Sequence, residues 1–262
     1  MSQPAVSALA PLPFELVYSD GEPLDSPWHR SQISLLLDVI GQAMAERGRD
    51  DFFAGGNMFV YYSYEQARDV AAGRPYFRGP DVFYVGGVDG QRERDAWVAW
   101  EEGGRLPEVI VELLSRSTAK IDRTVKKDLY AQTFRTPEYF LYEPTRFRLE
   151  GLRLSGRSHV YRPIAPNAQG RLWSERLGLE LGLWRGAYMG KKATWVRLFR
   201  SDGSLVPTEA EAEHLQAAAA EERAEAAEER AEAERQRAES AETRAAAAEA
   251  ELARLRALLG NR

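Results

Sequence analysis

The sequence predicts a domain of the α/β or α+β class that is followed by a long C-terminal helix. A helical pattern near the N-terminus precedes apolar runs rich in β-formers, and a second helical pattern lies between two of these runs. Short β-runs punctuated by glycine follow, which is typical of antiparallel hairpins packed on an earlier core. Beyond Pro207 the chain is almost entirely Ala, Glu and Arg, with no Gly or Pro before Gly260.

Composition restricts the class of protein. Of the 262 residues, 44% are hydrophobic and 10% are aromatic, as in a globular protein with a substantial core. The absence of cysteine excludes disulfides, thiolate nucleophiles and cysteine-ligated zinc, and is typical of a reducing compartment. The N-terminus lacks a signal-peptide pattern, and no stretch reaches the roughly 18 apolar residues of a membrane span. We therefore expect a cytoplasmic protein with no membrane partner.

The net charge of −5 is unevenly distributed. From Thr208 onward the chain has 14 Glu and 8 Arg with no Lys or Asp, so the acidity lies in this segment. The preceding residues are close to neutral. Binding of nucleic acid would therefore need a local basic patch.

The N-terminal part of the chain is predicted to be a leader and a helix. Residues 1–26 are rich in Pro, Ser and Ala, which favours a flexible leader with one extended piece at residues 14–18. Ser26 and Pro27 are typical of a helix cap and first helical residue. Apolar residues at helical spacing continue to Met44, before Gly48.

The next elements are predicted to be strands. Gly55-Gly56 indicates a turn before a strand over residues 57–63, and a further strand covers residues 80–88. Residues 91–105 are expected to form a loop or short helix that contains Trp97 and Trp100. Either tryptophan could stack on nucleic acid, although buried loop anchors are the commoner role.

The centre of the predicted sheet lies between residues 107 and 142. Residues 107–114 are almost continuously apolar, as expected for a strand covered on both faces. Ser115, Ser117 and Thr118 provide caps for a helix that extends to about Phe134. Residues 138–142 form another short core strand, and residues 146–207 are expected to form hairpins.

The segment after Pro207 has a heptad repeat. Positions spaced alternately by three and four residues from 217 to 259 are all Ala or Leu except Glu234. This pattern favours a coiled coil, most simply a homodimer, although a solvated single helix with Glu–Arg pairs fits nearly as well. The predicted organisation is a leader over 1–26, a domain over 27–207 and a helical coiled-coil tail over 208–262.

Glu112 is the residue with the clearest functional signal. It stands in the middle of the apolar run VIVELL, where a strand would bury it. Acidic side chains are almost never fully buried unless they are paired or bound to a cation. A structural role would need a buried Arg or Lys partner, so a functional role is favoured.

Asp81 and Lys126 complete a candidate site for a metal-dependent phosphodiesterase. If their strands are neighbours, Asp81 and Glu112 can converge on Mg²⁺, which activates water and neutralises charge on a phosphodiester. Lys126, on the following helix, would orient the water or stabilise the phosphate oxygens. Each residue has a structural alternative, Asp81 as a turn acid and Lys126 as half of an exposed ion pair with Asp122.

The predicted helix after Glu112 begins with a cluster of cations. With Lys126, the cluster comprises Arg116, Lys120, Arg123 and Lys127. Cations beside a Ser/Thr turn suit a phosphate backbone, although basic runs on helices are usually solvated faces.

Other chemistries lack their motifs. The three histidines have no metal-ligand spacing, and His29 is interpreted as a capping or packing residue.

Three segments resemble the Uma-two family of endonucleases, within the PD-(D/E)XK superfamily of phosphodiesterases. They are PDVFYVGGV from residue 80, PEVIVELLSRSTAKIDRTVKKDLYAQTF from residue 107 and PEYFLYEP from residue 137. The resemblance implies a restriction-endonuclease-like core, a mixed sheet flanked by helices, that cleaves DNA with Mg²⁺, or Mn²⁺ as a substitute.

The resemblance also implies which residues form the site. The family's acids fall on Asp81 and Glu112. Most of the superfamily has a lysine two residues after the second acid, where this chain has Leu114. The lysine of the Uma-two family lies on the next helix, four residues after an Asp and four before a Tyr, and Asp122, Lys126 and Tyr130 match this spacing. Arg116 departs from the family, since many members have proline there.

Two functions are consistent with these residues. The first is a Mg²⁺-dependent DNA endonuclease in which Asp81 and Glu112 bind the metal and Lys126 assists catalysis. Arg116, Lys120, Arg123 and Lys127 would then hold the phosphate backbone. The alternative is a catalytically inactive, nuclease-like module that recruits a protein partner through its coiled coil.

Overall fold

The computed structural model describes residues 13–18, 26–74, 79–156 and 158–259. Most of the predicted leader, residues 1–12 and 19–25, lies outside the described residues. Within the leader, Val17 contacts the chain that follows, because its amide donates a hydrogen bond to the Tyr61 hydroxyl at 3.0 Å. The chain divides into two compact units, Met1–Thr208 and Glu209–Arg262, here called the body and the tail.

The elements of the body alternate between helix and strand in its first half and are all strands in its second half. In chain order they are α1 Pro27–Ala45, β1 Phe52–Gly56, β2 Val60–Tyr61, α2 Tyr64–Ala71, β3 Val82–Gly86, β4 Trp97–Val98, a 3₁₀ turn Ala99–Glu102, β5 Val109–Leu113, α3 Ala119–Ile121, α4 Lys127–Leu129, β6 Glu138–Glu143, β7 Arg148–Leu154, β8 Tyr161–Pro163, β9 Leu172–Ser174, β10 Leu179–Tyr188 and β11 Lys191–Phe199.

One continuous helix contains α3 and α4. Two π-helical segments, Asp122–Lys126 and Tyr130–Phe134, connect and extend them. We call residues 119–134 the site helix. The prediction of a helix from the Ser/Thr turn to Phe134 is confirmed, but the π segments were not foreseen.

The main sheet has six strands in the order β1-β3-β5-β6-β7-β8. Strands β5 and β6 are parallel, and every other neighbouring pair in this sheet is antiparallel. A second sheet has the order β11-β10-β9, and β2 pairs with β4 in a short parallel ladder. The predicted mixed α/β fold, with a mixed sheet flanked by helices and a long C-terminal helix, is confirmed.

The two faces of the main sheet pack against different layers. Val82, Val109, Val111 and Phe140 contribute to a core shared with α1 and with strands β9 to β11. On the opposite face, Phe83, Ile110, Leu114 and Leu141 pack with residues of the site helix. Side chains of β5 alternate between these cores, as the two-residue period of a strand requires.

The start of α1 is as the sequence predicts. The Ser26 hydroxyl accepts a hydrogen bond from the His29 amide at 3.1 Å, and Pro27 occupies the first helical position. A serine cap satisfies an amide that the helix leaves unpaired, and proline there loses no hydrogen bond. This cap fixes the first turn of α1 and with it the position of His29.

The predicted turn at Gly55-Gly56 is wrong, because both glycines lie in β1. Gly55 pairs with Phe83 across the β1–β3 ladder. A Cβ atom on Gly55 would lie 2.4 Å from the Phe83 ring, and one on Gly56 would lie 2.5 Å from Ile33. These glycines therefore permit close packing, which sequence alone cannot distinguish from a turn.

The region around β2 also differs from the prediction. The strand predicted over residues 57–63 shortens to β2, because the Ser63 hydroxyl caps a further helix, α2, by accepting the Gln66 amide. Trp97 lies in β4 and is fully buried, with its ring nitrogen donating to the Arg105 carbonyl at 2.9 Å. Trp100 stacks on Tyr64. Of the two predicted roles, Trp97 therefore serves as the buried anchor.

The tail is one helix, α5, which spans Glu209–Leu259 and has 51 residues. The prediction of a long C-terminal helix is confirmed, and its pairing into a coiled coil stays a prediction. No helix within the described ranges is long and apolar enough to cross a membrane.

Candidate active site

Asp81 and Glu112 lie opposite each other on neighbouring strands. Val82 pairs with Val111 in the antiparallel β3–β5 ladder, so the next residues along the ladder are Asp81 and Glu112. Directly opposite residues project to the same face of a sheet. Glu112 lies between Ile110 and Leu114, which belong to the core beside the site helix. The structure therefore brings the two predicted acids together, facing the helix that carries Lys126.

Gly79 allows the chain to reach this position. A Cβ atom on Gly79 would lie 1.8 Å from the Met58 carbonyl oxygen, so no other residue fits without moving the backbone. Two residues later, the Asp81 carbonyl accepts a hydrogen bond from the Asn57 amide at 2.9 Å. The glycine thus permits the close approach that fixes the start of β3 and the backbone of Asp81.

Both carboxylate oxygens of Asp81 have partners. His29 Nε2 lies 3.0 Å from Oδ1, and the Leu113 amide donates to Oδ2 at 2.7 Å. Burial raises the pKa of Asp81, but the His29 hydrogen bond, the charges of His29 and Lys126 and the Leu113 amide outweigh this effect. The pKa of Asp81 is therefore lowered, and the group is a carboxylate at neutral pH.

Glu112 is almost completely buried, with 1% of its surface exposed. The Tyr130 hydroxyl donates to Oε1 at 2.7 Å, and the Lys126 ammonium lies 3.0 Å from Oε2. Burial raises the pKa of Glu112 to about 8, helped by the negative charges of Asp81 and Asp122, although Lys126 and Tyr130 act in the opposite direction. A pKa this high means that the ionised form of Glu112 is disfavoured, so an added positive charge nearby would strongly stabilise that form.

Lys126 links Glu112 to a third carboxylate. Its ammonium lies 2.9 Å from Asp122 Oδ1 as well as 3.0 Å from Glu112 Oε2. The predicted ion pair with Asp122 therefore exists, but it is buried, since the Asp122 side chain is only 2% exposed. Burial lowers the pKa of Lys126, but Glu112, Asp122 and Asp81 together raise it above its ordinary value. Lys126 is thus a permanent cation and a hydrogen-bond donor.

The π-helical segments orient the residues of the site helix toward the sheet. Asp122 and Lys126 mark the ends of the first segment, and Tyr130 begins the second. The Tyr139 hydroxyl donates to the Asp122 carbonyl at 2.9 Å, a carbonyl oxygen on the widened turn. π-Helical turns occur frequently at functional sites because they re-aim side chains that a regular helix would place elsewhere.

The Ser/Thr turn before the site helix is closed by its own side chains. The Ser115 hydroxyl accepts the Thr118 amide at 3.2 Å, and the Thr118 hydroxyl accepts the Ser115 amide at 3.3 Å. These reciprocal hydrogen bonds resemble a capping box. They lock the connection between Leu113, whose amide holds Asp81, and the helix that carries Lys126.

The four predicted nucleic-acid contacts fall into two groups. Arg116 and Lys120 are exposed and Lys127 is half-buried, and none of these three cations forms an ion pair with a described residue. Arg123 instead pairs with Glu150 and lies 3.5 Å from Glu143. The charge of Arg123 is therefore largely neutralised within the body, whereas the other three remain available to an anion.

The donor set suits a hard divalent cation. Among the residues that the structure describes, no group of three or more His, Asp or Glu side chains is placed to hold a metal ion. Mg²⁺, however, is usually bound by one or two carboxylates, with water and substrate phosphates completing its coordination. Glu112 Oε2 is buried and accepts no hydrogen bond from the described residues, although Lys126 contacts it as an ion pair. Asp81 and Glu112 therefore fit Mg²⁺ as a two-carboxylate site.

His29 was not predicted to belong to the site. The sequence indicated a capping or packing role, and its backbone amide is indeed capped by Ser26, but its ring contacts Asp81 from 52 residues away in the chain. His29 itself is 7% exposed. No local pattern marks this contact, because it depends on how α1 packs against the edge of β3.

The mixed sheet, the opposed acids and the helix-borne lysine are the features of a restriction-endonuclease-like protein. A family model described as "Uma2: Putative restriction endonuclease" matches residues 10–189, which is more than two-thirds of the chain. The chain belongs to this family.

Two other comparisons add less. No curated protein matches the chain. Among solved structures, a putative nuclease belonging to DUF820 from Anabaena variabilis is similar, with 13% sequence identity over 61% of this chain and 81% of that chain. Its TM-score is 0.41.

Proposed function

We propose that this protein is a Mg²⁺-dependent endonuclease that hydrolyses phosphodiester bonds of DNA. The observation that carries this proposal is the buried cluster of three carboxyl groups, Asp81, Glu112 and Asp122, around the ammonium of Lys126. Burial raises the pKa of Glu112 to about 8, so the ionised form of Glu112 is costly within the folded protein alone. A bound cation would offset that cost.

Asp81 and Glu112 would hold the Mg²⁺ ion. When bound, Mg²⁺ lowers the pKa of water and neutralises the negative charge that develops on a phosphodiester. His29 and the Leu113 amide orient the Asp81 carboxylate, and Tyr130 orients Glu112. Such supporting hydrogen bonds fix ligands before the substrate arrives.

Lys126 would act as a donor to oxygen and not as a base. Its raised pKa keeps the ammonium charged at neutral pH, so it cannot accept a proton from water. It can instead donate a hydrogen bond to a phosphate oxygen or to the attacking water, which stabilises negative charge in a site with little solvent. Asp122 holds it in place through the 2.9 Å ion pair.

The DNA backbone would contact the start of the site helix. Arg116, Lys120 and Lys127 supply cations without carboxylate partners among the described residues. Such cations bind phosphates with an affinity that falls with salt concentration and does not depend on sequence. DNA as the substrate is the expectation for a family described as restriction endonucleases.

Nicking of supercoiled plasmid tests the proposed function. Wild-type protein with Mg²⁺ is expected to convert the plasmid to the open-circular form, and EDTA is expected to stop it. Asp81→Asn should lower the rate by more than about tenfold, because the amide removes a ligand charge. Asp51→Asn is the matched control, since Asp51 is an exposed acid whose ion pair is with Arg49. Equal rates for wild type and Asp81→Asn would refute the proposed site.

We also propose that α5 pairs with a second copy of this chain. The seam positions of the heptad repeat are almost all Ala or Leu, and Leu252 and Leu255 on this seam are about half exposed in the single chain. An apolar stripe that recurs every 3.5 residues buries itself best against another helix of the same kind. The proposal concerns the tail alone.

Light scattering on size-exclusion chromatography tests the pairing. The wild-type chain is expected to be a dimer and Leu252→Glu/Leu255→Glu a monomer, because charges at the seam oppose close helix packing. Leu215→Glu is the control, since Leu215 is 64% exposed but lies off the seam. A monomeric wild-type chain would contradict the homodimer and leave recruitment of a different protein as the role of the tail.

A further inference from the structure

A groove on the body lies beside the candidate site but is not part of it. It has a volume of about 670 Å³, within the range of small-molecule pockets. Its walls come from the start of α1, the β6–β7 turn and the β10–β11 hairpin, and include Trp28, Phe147, Arg185 and Lys192.

Two connections place the groove at the same end of the main sheet as the acids. Trp28, in its wall, directly precedes His29, which contacts Asp81. Pro144, also in its wall, follows the end of β6, which runs parallel to β5 with Glu112 opposite Leu141. Trp28 packs with the core on the face of the sheet opposite the site helix, so a strand of nucleic acid held at the acids would reach the groove by passing round this end of the sheet.

The chemistry of the walls suits an unpaired nucleotide. Trp28 presents an aromatic surface supported by stacking on Trp195, at 5.9 Å and an interplanar angle of 13°. Arg185 and Lys192 are exposed and form no ion pair with any described residue. None of the described residues that line the groove carries a carboxylate. Aromatic surfaces for bases, flanked by unneutralised cations for phosphates, are the elements of single-strand binding sites.

The shape of the groove is maintained by specific contacts. Lys191 donates to the Pro27 carbonyl at 3.3 Å and so ties the β10–β11 hairpin to the start of α1. The Tyr142 hydroxyl donates to the Thr194 carbonyl at 3.2 Å and connects β6 to β11. Both contacts are made within the body, so the groove is formed before a ligand binds.

Two large apolar residues occupy strained positions on the segments that form its walls, and one of them, Phe147, lines the groove. Phe147 has a φ of +49° and is 56% exposed, and Met189, in the two-residue turn of the β10–β11 hairpin, has a φ of +47° and is 70% exposed. Backbone with positive φ favours Gly or Asn, and Asn-Gly is the usual sequence of such a turn. Because these side chains are largely exposed, they add little to the stability of the fold, and this favours a role in binding.

We propose that this groove binds an unpaired nucleotide of a nucleic-acid strand. Phe147 and Trp28 contact the base, and Arg185 and Lys192 contact the flanking phosphates. A paired base cannot enter, because its edge and faces are covered within the duplex. The choice of ligand rests on the proposed function, but the site is defined by the groove itself.

The test measures binding without cleavage. Fluorescence anisotropy in EDTA follows a labelled oligothymidylate of about ten nucleotides, a length within the range of known single-strand sites. Phe147→Gly is expected to weaken binding about tenfold, because one stacked base is lost. Glycine tolerates the positive φ, so this variant is expected to fold at least as stably as wild type. Phe147→Tyr, which keeps the aromatic ring, should restore the affinity.

Charge and backbone controls complete the test. Arg185→Ala/Lys192→Ala should reduce the slope of log affinity against log salt by about 1.4, as expected for two single-strand phosphates. His159→Gly changes another residue of positive φ, in the β7–β8 connection, and Arg68→Ala removes an exposed cation of α2. Both controls should bind as wild type.

Three results would overturn the proposal. They are a wild-type protein that does not bind the oligonucleotide, groove variants that bind as well as wild type, and an equal loss of affinity for a blunt duplex of the same length. A protein that binds single strands through the groove but never nicks plasmid would refute the proposed function and leave this site standing.

Discussion

Glu112→Gln is expected to reduce Mg²⁺-dependent nicking by more than about a hundredfold, because loss of a ligand should exceed the loss seen for supporting residues. The substitution keeps the shape of the side chain and the Tyr130 contact while removing the charge that would bind the cation. Wild-type protein should also gain thermal stability when Mg²⁺ is added, since a ligand that binds only the folded state stabilises it. The variant should lose most of this gain.

The same substitution should change how stability depends on pH. An unfolded Glu112 ionises near its ordinary pKa of 4.5, whereas burial raises the pKa of the folded residue to about 8. Between these values the folded state holds a proton that the unfolded state has lost, so this group's contribution to stability is complete below pH 4.5 and is lost as the pH rises toward 8. Glutamine has no such dependence. The free energy of unfolding of Glu112→Gln should therefore rise relative to wild type between pH 5 and pH 8.

Glu138→Gln is the matched control for both measurements. Glu138 is also 1% exposed and lies in the adjacent strand β6, but it pairs with Arg153 and accepts the Glu175 amide. Its loss should destabilise the fold without lowering the nicking rate per folded molecule. Urea unfolding across the pH range, with nicking normalised to folded protein, separates the two effects. A Glu112→Gln protein that nicks as fast as wild type would exclude Glu112 from the reaction.

Lys126→Met is expected to be the most destabilising single substitution in the site. It removes the ammonium that contacts both Glu112 and Asp122 and leaves these two buried carboxyl groups without that cation. Removing one partner of a buried ion pair typically costs about 3–5 kcal/mol. Activity should fall as well, because the donor to the phosphate oxygens is lost.

Urea denaturation of a double-mutant cycle tests this expectation. Lys127→Met is the control, since the neighbouring lysine forms no ion pair with a described residue and should change stability little. Lys126→Met should cost less in a Glu112→Gln background, because one of the carboxylates it would leave unpaired is already gone. Equal costs in both backgrounds would show that Lys126 and Glu112 are not energetically coupled.

Much of the candidate site could be predicted because it depends on strong local signals. A glutamate within VIVELL has few structural explanations, and the sequence predicted that Glu112 would meet Asp81 if their strands were neighbours, as the β3–β5 pairing makes them. The helix after Ser115 brings Lys126 back over the sheet. The spacing of Asp122, Lys126 and Tyr130 matched that of the Uma-two family, and in the structure Lys126 contacts Glu112 and Asp122 while Tyr130 donates to Glu112.

The parts that could not be predicted depend on tertiary contacts. His29 contacts Asp81 only because α1 begins beside the start of β3. Gly55 was interpreted as a turn residue, although it is needed for close packing against Phe83. Arg123 had the same apparent signal as Arg116, and only the position of Glu150 on β7 distinguishes the neutralised cation from the available one.

Strands β5 and β6 carry two buried glutamates with opposite capacities. Glu138 is saturated, since Arg153, the Ser174 hydroxyl and the amides of Glu175 and Arg176 all donate to it. Glu112 has one hydroxyl donor and one shared ammonium. Burial alone therefore does not distinguish the two acids. Glu112 Oε2 accepts no hydrogen bond from the described residues, so the proposed cation is expected at the Glu112 end of the sheet and not at the Glu138 end.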